Sequence, residues 1–99
     1  MKTNPYNQLI FDFFTEHLPA FKVISQYSSG PYWNISFSDY DLITIELGGD
    51  IGFSVEVIID KIKYSLWQYD RSVISKMKTT KENILYQLNV LKLLLNDIN

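Results

Sequence analysis

Gly48-Gly49-Asp50-Ile51-Gly52-Phe53-Ser54-Val55-Glu56-Val57-Ile58-Ile59-Asp60-Lys61-Ile62-Lys63-Tyr64-Ser65-Leu66 is the stretch on which the fold turns. The glycine pair before Asp50 is a hairpin signal, because glycine supplies the positive φ that tight β turns need. After it Ile51, Phe53, Val55, Val57 and Ile59 alternate with Gly52, Ser54, Glu56, Ile58 and Asp60, the period of a half-buried strand. A tight turn at Asp60-Lys61 feeds a second alternation, with Ile62, Tyr64 and Leu66 against Lys63, Ser65, Trp67 and Tyr69. Upstream, Ile43, Ile45 and Leu47 alternate with Leu42, Thr44 and Glu46. Before the turn Asp39-Tyr40-Asp41, Tyr32–Ser38 places Trp33, Ile35 and Phe37 on one face. Ser28-Ser29-Gly30-Pro31 is a turn composition that separates this strand from Val23–Tyr27. All of these connections are short, so sequential antiparallel pairing is the simplest topology: a meander of four or five strands.

Helical periodicity flanks the strands. Over Tyr6–Leu18, Tyr6, Leu9, Ile10, Phe13, Phe14, His17 and Leu18 recur at steps of three and four. Asn4 suits the cap, Pro5 suits the first helical position, and Pro19 ends the run. Phe11 falls off that stripe. Asp70 caps a short helix over Ser72–Lys78, with Val73, Ile74 and Met77 inward. Thr79 and Glu82 have capping-box spacing before a last helix over Lys81–Asp97, whose inward residues are Ile84, Leu88, Leu91, Leu95 and Ile98. Residues 1–99 therefore read as one α+β domain: an N-terminal helix, the meander, a short helix and a C-terminal helix, the helices packed on one sheet face.

Composition narrows the chemistry. At 99 residues and 46% hydrophobic the chain is one domain, able to bury roughly 65% of its unfolded surface. It has no cysteine, which removes disulfides, thiolate metal sites and thiol nucleophiles. Its one histidine, His17, sits on an apolar helix face with no nucleophile or orienting acid spaced to serve it, so it is expected to do no chemistry. Asp39 and Asp41 share a turn without EF-hand spacing, and the glycine-dense segment matches no phosphate loop. No catalytic residue, metal or cofactor is expected. The longest apolar runs are too short for a signal peptide or a spanning helix, which points to a cytoplasmic chain without membrane association.

Charge is segregated along the chain. From Val23 to Asp60 there is no Lys or Arg, but there are six acids: Asp39, Asp41, Glu46, Asp50, Glu56 and Asp60. From Lys61 to Lys81 six basic residues face one acid, Asp70. Such a layout steers a cationic partner rather than nucleic acid. With Gly49-Asp50 at the turn, Glu46 and Glu56 fall near cross-strand positions on the polar face, where a cation would relieve their repulsion. Strand parity puts Trp67 and Tyr69 on that same face, and exposed aromatics favour anchoring roles at interfaces. The candidate partner-binding set is Asp39, Asp41, Glu46, Glu56, Asp60, Trp67 and Tyr69. A second candidate surface is an arc of Tyr86, Val90 and Leu93 on the outer side of the last helix, suited to a homodimer.

The layout of Gly48–Val57, then Tyr64-Ser65-Leu66-Trp67-Gln68-Tyr69-Asp70-Arg71 and Thr80–Leu85, resembles the immunity proteins of bacterial polymorphic toxin and contact-dependent growth inhibition systems. It resembles them in style, over these stretches, and no functional residue transfers. The resemblance implies a non-enzymatic protein that binds and occludes a cognate toxin domain, a nuclease foremost. A nuclease needs a cationic site for phosphate, so an inhibitor gains by presenting carboxylates there. The alternative class is a phage or host adaptor, an anti-defence or chaperone-type binding protein. A small enzyme without a recognisable motif is the third.

Overall fold

A computed structural model describes residues 6–49 and 52–98. Five strands run in the order β1 (Lys22–Ser29), β2 (Tyr32–Ser38), β3 (Ile43–Gly49), β4 (Phe53–Ile59) and β5 (Ile62–Ser65), all antiparallel in one open sheet. Helix α1 (Asn7–His17) precedes them. The one-turn helix α2 (Leu66–Tyr69), a 3₁₀ turn (Arg71–Lys76) and α3 (Lys81–Asp97) follow.

Turn chemistry sets the sheet register. Asp60 and Lys61 both take positive φ, 50° and 71°, the two-residue turn whose twist matches the flanking strands. Gly30 has φ 60° and joins β1 to β2 through Gly30-Pro31. The glycine pair works differently from expectation. Gly48 and Gly49 belong to β3, and Gly30 alone among the described glycines has positive φ. Gly49 is needed for space: a Cβ there would meet Trp33 Cζ2 at 2.5 Å. Asp50 and Ile51, like the proposed cap Asn4 and Pro5, lie outside the described residues.

Every buried hydrophobic strand residue has one parity: Trp33, Ile35, Phe37, Ile45, Leu47, Phe53, Val55 and Val57. Helices α1 and α3 close over them, with Ile10, Phe13 and Phe14 from the first and Ile84, Leu88, Leu91 and Leu95 from the second. Phe14 stacks on Phe37 at 3.7 Å between centroids, and Phe11, off the helical stripe, meets the Phe37 edge at 6.0 Å. Tyr64 is 40% exposed at the margin of this layer.

Several local expectations shift. The cap of α3 is Thr80, which accepts from Asn83 N at 3.2 Å, one residue beyond Thr79. The α3 face is wider than a strict four–three stripe: Gln87, Val90 and Leu94 are buried, while Ile98 is exposed. Gln87 donates to the carbonyls of Phe53 (3.0 Å) and Lys76 (2.9 Å), tying α3, β4 and the 3₁₀ turn together. Asp70 caps that turn as expected, accepting from Ser72 N and Oγ, but Ile74 points to solvent and only Val73 is fully inward.

Candidate functional site

The sheet's second face carries no buried hydrophobic residue among those described. At its centre Glu46 on β3 and Glu56 on β4 are direct cross-strand partners. Two carboxylates in that position repel, and the chain supplies its own relief from the next strand. Lys63 on β5 sets its Nζ 3.3 Å from Glu46 Oε1 and 3.8 Å from Glu56 Oε1. Ser65 Oγ donates to Glu56 Oε2 at 3.3 Å. The hydrogen bond and charge of Glu46, then the charge of Glu56, hold the Lys63 pKa above its ordinary value. One ammonium between two carboxylates leaves the cluster net negative. Both glutamates remain about a third exposed, so their outer oxygens can meet a partner's cations. Lys63 was legible as a residue of this face, but not as the cation that relieves the pair.

The other acids lie at one end of the sheet. Asp39 Oδ1 accepts from the backbone N–H groups of Asp41 (2.9 Å) and Ile43 (3.1 Å), so its carboxylate is engaged in building the β2–β3 turn. Asp41 is exposed in that turn. Asp60 reaches the same end, its N–H donating to Leu42 O at 3.2 Å. The structure therefore separates a sheet-centre pair, Glu46 and Glu56, from a loop set, Asp39, Asp41 and Asp60.

The aromatic pair does not sit where strand alternation predicts. β5 stops at Ser65, whose N–H donates to the Gln68 side chain at 2.7 Å, and α2 begins. Leu66 turns into the core. Trp67, 42% exposed, lies beside Ser54, Glu56 and Ser65 at the margin of the open face, over a cavity of about 60 Å³ that Gln87 also lines. Tyr69 goes to the helix side. Its hydroxyl donates to Asp97 at the end of α3, a bond that raises the phenol pKa. There it borders an apolar cavity of about 340 Å³ with Val57, Ile59, Tyr64, Leu94 and Ile98. Trp67 thus stays beside Glu56 at the margin of the sheet, and Tyr69 lies on the helix side. At the far margin of the open face Tyr27 and Tyr32 contact each other edge to face at 6.0 Å, aromatics the sequence reading did not pair.

The proposed α3 arc breaks up as well. Val90 is 5% exposed, Tyr86 is half-buried and hydrogen-bonded to Ser72, and Leu93 alone projects. His17 contacts the Phe13 ring and lies 3.2 Å from Lys92 Nζ through Nδ1 and 3.5 Å from Glu16 through Nε2, an α1–α3 tie. Among the described residues no group of three His, Cys, Asp or Glu side chains could hold a metal ion, and no helix is long and apolar enough to cross a membrane. Comparison with protein-family models, curated proteins and solved structures found no match.

Proposed function

We propose that this chain is a non-enzymatic binding protein of the immunity type, which occludes the cationic site of a toxin domain, a nuclease foremost, with the open face of its sheet. The observation that supports this most is the Glu46–Glu56 pair, held side by side by Lys63 at the centre of a face that carries no buried hydrophobic residue among those described. Two adjacent carboxylates on a rigid sheet present acceptors to Arg and Lys side chains much as successive phosphates do. Trp67 at the margin supplies an apolar anchor. The exposed acids Asp41 and Asp60 extend the negative field to one end of the sheet, where they steer approach rather than dock.

The test retrieves the partner from the lysate of the cell that encodes the chain, in three parallel arms: wild type, Glu46→Gln/Glu56→Gln, and Trp67→Ala. One basic protein should be enriched on the wild type and depleted on both variants, and its expression alone should arrest growth that co-expression of the chain restores. Equal recovery by three folded baits refutes the assigned face. Recovery without toxicity refutes the immunity role and favours an adaptor.

A further inference from the structure

We propose that β1 is a pairing edge for a second copy of this chain, joining two sheets antiparallel across a twofold axis. The two edges of the sheet are built differently. The β5 edge is short and closed: β5 has four residues, α2 follows at once, and the start of β4 is taken up by the chain itself, with Phe53 N donating to Met77 O at 2.6 Å and Gly52 bridging Lys78. β1 has eight residues, every one exposed, and among the described residues β2 alone pairs with it. A long edge without proline, and with no charge beyond its first residue, is a template for another strand. Lys22 is the only charged residue between Lys22 and Ser38, and the only proline there, Pro31, is in the turn.

The hairpin fixes which backbone groups are offered. With Gly30-Pro31 as a two-residue loop, Ser29 and Tyr32 form the hydrogen-bonded closing pair, so alternation turns the N–H and C=O groups of Gln26 and Ser28 outward. A bulge at Ile24 ends the regular stretch. A twofold axis at Tyr27 then pairs Gln26 with Ser28 of the other copy, twice, and sets the two Tyr27 side chains opposite each other on the open face. Tyr27 is 59% exposed and already touches Tyr32, so four tyrosines would meet there.

A second copy fits as the occupant because the twofold matches the outward Gln26 groups of one edge to the Ser28 groups of the other, and charge does not oppose it. In this register the two Lys22 residues stand at opposite ends, about 34 Å apart along the strands. The Glu46 positions of the two copies are five strand spacings apart, about 24 Å, against a screening length of about 8 Å. Pairing therefore brings no like charges together, although the chain carries net −2. An interface of one strand pair and its flanking tyrosines belongs to the weak class below about 1,200 Å², so the dimer should form only toward high protein concentration. The Glu46–Glu56 surface stays open in the dimer, and the inference does not depend on the function proposed above.

Sedimentation equilibrium from about 5 to 500 µM, with amide exchange at both extremes, decides the matter. Wild type and Tyr27→Phe should dimerise, and the Gln26 and Ser28 amides should become protected as concentration rises. Tyr27→Lys, which opposes two ammonium groups at the axis, and Ser28→Pro, which deletes an outward N–H, should stay monomeric with unchanged circular dichroism. A wild type that is monomeric throughout overturns the proposal, as do folded Tyr27→Lys chains that still dimerise. A dimer that leaves the Gln26 and Ser28 amides unprotected also overturns it, and this readout needs no variant to fold.

Discussion

Replacing Gly49 by alanine tests the packing of the sheet at its tightest point. Gly49 pairs with Trp33 on one side and Phe53 on the other, and all three belong to the core-facing parity. An alanine Cβ would lie 2.5, 2.6 and 2.9 Å from Trp33 Cζ2, Cε2 and Nε1. Carbon atoms pack comfortably at about 3.5–4.0 Å, so the ring must retreat by about 1 Å. It has little room, being 5% exposed and set against Phe53 at 5.8 Å between centroids. Overpacking of this kind costs about 1–3 kcal/mol. Removing a strand glycine returns at most about 1 kcal/mol, which leaves a net loss near 1–2 kcal/mol. In a domain of this length that lowers Tm by about 4–16 °C. Urea unfolding followed by circular dichroism reads the loss, and Trp33→Leu should partly rescue it, since the smaller side chain vacates the space. The double variant should then be more stable than the sum of the single losses by at least about 0.5 kcal/mol. A Gly49→Ala chain as stable as wild type, with additive doubles, would refute this account of the glycine.

Leu88→Ala, at a fully buried position of α3, should cost about 2–5 kcal/mol in the same assay. Gln87→Leu keeps the volume but strips donors from the Phe53 and Lys76 carbonyls; with Oε1 itself unpartnered among the described residues, the net cost should be about 1–3 kcal/mol. Acid should weaken the cap of the 3₁₀ turn: hydrogen bonds from Ser72 lower the Asp70 pKa, so its contribution is present above the ordinary carboxylate range and fades as pH falls through the lowered value, a slope Asp70→Asn should flatten.

Much of the fold was legible because sheet burial has period two and is nearly unbroken from Trp33 to Val57. The same alternation puts Glu46 and Glu56 on one face, but their direct opposition comes from a register in which Gly49 pairs with Phe53, later in the chain than a turn at Gly49-Asp50 would give. The limit came where two periods coincide. Tyr64-Ser65-Leu66-Trp67-Gln68-Tyr69 alternates like a strand, but Ser65-x-x-Gln68 is also a helix-start spacing, and the side chain of Gln68 captures the Ser65 N–H. That local bond turns Leu66 inward and sends Trp67 and Tyr69 to different sides. Gln87 escaped notice because a polar residue on a helix is ordinarily assigned to solvent; the signal was its place between Ile84, Leu88 and Leu91 on the buried arc. Asp39 reads in sequence both as a turn former and as an acid open to a partner, and its two bonds from backbone N–H groups show the first role.

The central claim is that the open sheet face, through Glu46 and Glu56, meets the partner. Its most direct test is the association rate constant of the retrieved partner with wild type and with Glu46→Gln/Glu56→Gln, measured by stopped flow at low and high salt. Glutamine keeps the shape and hydrogen-bonding reach of each side chain, so only charge changes. The account predicts a slower association at low salt, by on the order of tenfold, and convergence of the two rates as salt screens the field. Identical association and dissociation rates for the two folded proteins at every salt concentration would contradict it.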